Sequence, residues 1–113
     1  MTNPHRGELE VNLAGKTYQA KITLDSIVRI EQSLNVSIVK VAQLLANAEM
    51  TVEQICQVLL IALRGGGNKL EKKDIQNIVW EAGLVQAMSV SGEILSAILG
   101  GETEGNVEGA GSE

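Results

Sequence analysis

The sequence contains no phenylalanine, and it holds a single cysteine (Cys56), histidine (His5), tryptophan (Trp80) and tyrosine (Tyr18). Each scarcity closes off a class of explanation. One cysteine cannot form an intrachain disulfide, and nothing argues for an oxidising compartment. One cysteine and one histidine cannot assemble the common zinc sets, and a Cys/His nucleophile pair would have to join residues far apart in the chain. No metal, no cofactor and no catalytic residue is expected. With so few aromatics, a core must be built from Leu, Ile, Val and Ala, a palette that suits closely packed helices. The same shortage leaves little for bases to stack on.

Charge is scarce where nucleic acid would need it. Of the net −5, Glu102, Glu104, Glu108 and Glu113 carry −4, which leaves −1 for residues 1 to 100. A nearly neutral body offers no basic face. Long apolar runs are missing too: no stretch of ~18 uninterrupted apolar residues could span a membrane. The segment from Met1 to Gly7 lacks the apolar core of a secretory signal. The expectation is a cytosolic binding module without enzymatic activity. At 113 residues and 44% apolar content, the chain has room for one modest domain.

Hydropathy first alternates with period two. Residues 8 to 13 and 17 to 22 do so with Leu9, Val11 and Leu13, then Tyr18, Ala20 and Ile22, on one face, and Ala14, Gly15 and Lys16 form the turn between them. This predicts a β-hairpin over about residues 8–22. The period then lengthens to three and four, predicting helices near 25–34, 38–47, 51–64, 71–82 and 84–99. Asp25 or Ser26 is the expected cap of the first and Ser37 of the second, with Asn35 between them. Thr51 and Gln54 fit a capping box for the third, the most apolar and so the most buried. Gly65, Gly66 and Gly67 end it, because glycine readily adopts the left-handed conformation of a helix terminus. Ile75, Ile78 and Val79 face inward on the fourth with Trp80 at its flank, and Gly92 threatens the continuity of the fifth. The expected fold is α+β and mainly helical: a hairpin, four to five packed helices over residues 1–100, and a disordered acidic Gly/Glu tail over 101–113.

Several residues invite a chemical reading. Cys56 on an apolar helix reads as an inert core thiol, and His5 as a solvated residue before the first strand. Arg64 to Lys69 has the glycines and cations of a phosphate loop, but a helix precedes it and Leu70 follows the lysine, so helix termination is the better account. Glu8, Glu10, Glu71 and Asp74 lie on solvated faces, with no pattern that desolvates a carboxylate for acid/base work. Asp25, Ser26 and Ile27 resemble the modification site of acyl carrier proteins, in which the serine takes a phosphopantetheine arm. The helix after Ser26 is too short for that family, and a hairpin replaces its first helix.

Read end to end, residues 3 to 99 resemble the small tail assembly chaperones of long-tailed phages. The resemblance is to the branch found in gene transfer agents, which is also labelled a tail tube protein. It is carried by Asn3 to Glu8 entering the first strand, Gly15 and Lys16 at the turn, and Leu24 through Ile30, Glu31 and Leu34. It continues with Leu59 through Ala62, Leu63, Arg64 and Gly65 running into the glycine loop, and with Gly83 and Leu84 opening the last helix. The resemblance implies a factor in the bacterial cytoplasm that binds the long helical tape measure protein while tail tube protein subunits assemble around it. Self-association is a further option, and no nucleic acid or membrane partner is implied. An apolar groove for a partner helix would suit that role. The candidate contacts are Ile38, Val39, Leu84, Met88, Ile94, Leu95 and Ile98. The alternatives are a carrier protein modified on Ser26 and a structural tail tube subunit, for which the chain reads as too helical and too poor in strands.

Overall fold

A computed structural model describes residues 7–100; His5 and the 101–113 tail, including its expected disorder, lie outside the described residues. The chain runs β1 (Glu8–Leu13), β2 (Lys16–Lys21), α1 (Leu24–Leu34), α2 (Ile38–Ala46), α3 (Val52–Gly65), α4 (Lys72–Ala82) and α5 (Leu84–Ile98). The α+β class with an N-terminal hairpin followed by helices is as expected, with five helices among the described residues.

The hairpin is antiparallel, pairing Leu9 with Ala20, Val11 with Tyr18 and Leu13 with Lys16. Its turn is tighter than expected, because Lys16 already belongs to β2 and only Ala14 and Gly15 remain, both at positive φ (54° and 79°). That is the sign pattern of a two-residue turn matching the right-handed twist of the strands. Ala14 tolerates the left-handed conformation with its N–H donated to Gln86 Oε1 on α5 at 3.0 Å. The apolar face of the hairpin, with Val11, Leu13 and Ala20 buried, packs on the helices.

Helix α3 runs through the centre, touching β2, α1, α4 and α5. It buries Ile55, Cys56, Val58, Leu59, Leu60, Ala62 and Leu63. Its expected capping box is present: Gln54 N–H donates to Thr51 Oγ1 at 3.1 Å and Thr51 N–H to Gln54 Oε1 at 2.9 Å. Ser37 caps α2 by accepting the Lys40 N–H at 3.1 Å. Asn35 closes α1 in the left-handed conformation at φ 60°.

Two local expectations are corrected. The cap of α1 is Thr23, neither Asp25 nor Ser26: Ser26 N–H donates to Thr23 Oγ1 and Thr23 N–H to Ser26 Oγ, each at 3.1 Å. Ser26 is thus the third residue of a reciprocal box, and Asp25 pairs instead with Arg29 Nε at 2.7 Å. The glycines after α3 also serve a different purpose. Only Gly67 has positive φ (98°); Gly65 is still helical and Gly66 has φ −84°. A Cβ on Gly65 would overlap the Lys21 carbonyl oxygen, and one on Gly66 the Gln19 carbonyl oxygen. These two positions demand glycine because the end of α3 lies flush against the edge of β2. The fifth helix runs unbroken through Gly92, which faces the Leu45 side chain of α2.

Candidate functional site

The first turns of α3, the last turns of α4 and the start of α5 enclose an apolar groove of about 340 Å³. Local sequence sets each wall. The Thr51 cap starts α3 at Val52, so Val52 and Cys56, four apart, share one face. On α4, Gln76, Val79 and Trp80 recur at helical spacing, and Gly83 at φ 90° turns the chain so that Leu84 closes the end. Lys72 Nζ meets Glu53 Oε2 at 3.1 Å, and Gln57 Nε2 donates to the same oxygen at 3.2 Å, fastening α4 to α3 beside the groove.

The groove is apolar and open. Trp80 is 86% exposed, with Val52 at 49%, Leu84 at 47% and the neighbouring Val85 at 78%. Single exposed aliphatics are ordinary, but an exposed tryptophan that lines one groove with Val52 and Leu84 forms an apolar patch. Tryptophan combines large contact area with little rotamer entropy, which is why it dominates binding surfaces. At the floor, Cys56 is 3% exposed. Burial pushes its thiol pKa up, the Glu53 carboxylate adds to that, and the Lys72 ammonium opposes it. It stays protonated and is a poor nucleophile. Glu53 is held below the usual carboxylate range by hydrogen bonds from Lys72 and Gln57.

A second apolar groove, of about 290 Å³, runs between α2 and α5 over Ala42, Leu45, Ala46, Gly92, Leu95, Ser96 and Leu99. The seven residues expected to contact a partner do not form one surface. Leu84 lines the first groove, and Leu95, buried, lines the second. Ile94 is fully buried in the core, and Ile38, Met88 and Ile98 are half-buried against it. Val39 is exposed on α2 outside both grooves. Trp80 and Val52, which line the first groove, lie outside that set. The signal was present in Trp80, which lies off the Ile75–Val79 stripe of its helix, so a large apolar side chain is left without an inward direction.

The other chemical candidates are used structurally. Ser26 is 6% exposed and its hydroxyl is engaged by Thr23, so no accessible nucleophile is offered for a phosphopantetheine arm. Arg64 donates through Nε to the Leu70 carbonyl at 2.8 Å and pairs with Glu71 at 3.5 Å, closing the glycine loop on itself. Among the described residues no three His, Cys, Asp or Glu side chains cluster as metal ligands. No helix among them is long and apolar enough to cross a membrane.

Fold and groove together define a small, mainly helical α+β domain with an apolar groove on its surface. Residues 6–101 match the family model described as "Phage tail tube protein, GTA-gp10", and the chain belongs to that family. The phage and gene transfer agent tail kinship expected from the sequence is therefore shown at family level. No curated protein and no solved structure matches the chain.

Proposed function

We propose that this protein is a non-enzymatic assembly chaperone for a phage-like tail, and that it holds the tape measure protein through the groove headed by Trp80. The observation that carries the reading is the solvent-open apolar groove itself: a tryptophan that the core does not need, set beside Val52 and Leu84. A long helical tape measure carries apolar stripes that must be covered before the tube encloses them, and a helix laid in a groove covers them one segment at a time. Release is part of such a role, and a shallow groove with one dominant aromatic suits a modest, reversible affinity.

The family description favours a second reading, a subunit of the tail tube. Against it stands the scarcity of strands: the one sheet among the described residues has two strands, and one of its edges is covered by α3. The two readings separate by experiment. Co-expression with the tape measure protein encoded nearby should keep that partner soluble and co-purify it, and Trp80→Glu should abolish the complex while leaving the fold intact. Finished particles should lack this chain. Its presence in particles at the copy number of a tube component would overturn the chaperone reading in favour of the second.

A further inference from the structure

Helix α4 opens with two lysines, Lys72 and Lys73, at the end where the aligned peptide dipoles of a helix favour anions and disfavour cations. Lys72 is compensated by its ion pair with Glu53. Lys73 is exposed and meets no carboxylate among the described residues. Its neighbours three and four positions on are Gln76 and Asn77. An acidic residue would suit the start of the helix better, so the stability of α4 does not account for this lysine.

Spacing ties Lys73 to the groove. Lys73, Gln76 and Trp80 stand at i, i+3 and i+7, so they form one row along α4, and all three are exposed. Gln76 and Trp80 line the groove. Lys73 extends the row by one further turn, about 10.5 Å from Trp80 along the helix axis. The acidic residues of α4 stand off that row. Asp74 accepts the Glu71 N–H at 2.8 Å. Glu81, one residue past Trp80, is turned about 100° from the row and does not line the groove.

Lys73 also lies in the basic corner of an acidic protein. Between residues 64 and 73 the chain carries Arg64, Lys69, Lys72 and Lys73 against Glu71 alone, whereas its net charge is −5. A partner that reaches the groove past Lys73 meets positive charge, which favours a carboxylate on it and opposes a lysine. Two turns of a partner helix span the same length of about 10.5 Å. A helix lying along α4 with an apolar residue against Trp80 and a carboxylate seven positions away therefore meets both ends of the row.

We propose that the groove selects a helix carrying Asp or Glu seven residues from the apolar residue seated against Trp80, with Lys73 pairing that carboxylate. This rests on the reading of the groove as a helix-binding site and adds the sequence pattern of its occupant. The probe is a helical peptide with leucines at its centre and three and four residues to either side. It carries Glu seven residues to either side, with Ala and Gln elsewhere, and its twin carries Lys in place of Glu. Each is titrated into the full chain at about 0.15 M salt, which screens distant charges, and binding is read from the shift of Trp80 emission to shorter wavelength. The Glu peptide should bind about threefold more tightly, as an exposed ion pair allows, and the preference should vanish at about 1 M salt. Lys73→Glu, which suits a helix start and leaves the fold intact, should reverse the preference. Lys40→Glu, the same change of net charge on α2 and outside the groove, should leave it in place. Equal affinity for the two peptides, or a preference unmoved by Lys73→Glu, overturns the proposal and leaves the groove reading standing. No emission shift with either peptide removes the groove reading and the proposal together. A shift that grows with protein concentration before peptide is added assigns the groove to a second copy and overturns the proposal equally.

Discussion

Helices α3 and α4 lie side by side, joined by the Glu53–Lys72 pair, yet they spend their apolar residues differently. The former buries seven residues on several sides; the latter buries Ile75 and Val79 on one stripe and leaves Trp80 in solvent. A helix enclosed by β2, α1, α4 and α5 has little outer face left, so its apolar residues are accounted for by packing. A helix at the surface needs only a stripe, and a large apolar side chain off that stripe points to something outside the domain. Stability should therefore concentrate in α3, and binding at the α4 end of the groove.

Leu59 is fully buried in α3. Leu59→Ala should lower the unfolding free energy by about 2–5 kcal/mol, a large part of the stability of a small domain. Urea denaturation followed by circular dichroism measures it. A loss below about 1 kcal/mol would mean that α3 is not the centre of the core in solution.

Gly66→Ala comes next. Alanine suits the φ of −84°, so local propensity alone predicts no harm. The added Cβ would overlap the Gln19 carbonyl, and the shift forced on β2 should cost about 1–3 kcal/mol, as overpacking does. An unchanged denaturation midpoint would show that α3 and β2 are not pressed together there.

These two sites mark where sequence reading succeeds and where it stops. The period-two and helical stretches locate the hairpin and all five helices, because hydrophobic periodicity is local and each element here obeys it. The Thr51–Gln54 box and the Ser37 cap are legible for the same reason. Gly65 and Gly66 read locally as helix terminators, because their actual constraint is the carbonyl edge of a strand more than forty positions earlier, which no local pattern contains. Ser26 was misplaced by one half of a reciprocal box whose other half, Thr23, precedes the apolar stripe. The groove takes residues from three helices, so only Leu84 among its lining residues is an expected partner contact. Ile94 and Leu95 were singled out with it and turn out buried, since on a helix with two apolar faces spacing does not say which is covered.

Ser91 sharpens the contrast from the opposite direction. It lies fully buried in α5, and among the described residues its hydroxyl has no hydrogen-bond partner. Ser91→Ala removes a buried unsatisfied group at little cost in volume, so it should raise stability by about 1 kcal/mol. A thermal midpoint that falls would mean that the hydroxyl has a partner in solution.

Trp80→Ala tests the other half of the comparison. Because the side chain is exposed, truncation should change stability by no more than about 0.5 kcal/mol, while partner binding weakens strongly. In the parent chain the sole tryptophan also reports occupancy, since a helix in the groove should shift its emission to shorter wavelength. A destabilisation comparable to that of Leu59→Ala would mean that Trp80 is a core residue in solution.

The smallest expected effect is the pH dependence of the fastening between the two helices. Glu53 titrates below its ordinary range because hydrogen bonds from Lys72 and Gln57 favour its charged form. A carboxylate whose folded pKa is depressed contributes stability that is fully present above its unfolded value, about 4.3, and lost as pH falls through the lowered folded value. The residue is solvent-exposed, so screening keeps the contribution small. The difference in thermal midpoint between the parent chain and Lys72→Met should therefore be slight at neutral pH and shrink as the solution is acidified through the Glu53 titration. It should shrink with added salt as well. A difference that persists in strong acid would place the contribution of Lys72 in the packing of its methylene stem, and the α3–α4 contact would then be held by apolar area on both sides of the groove.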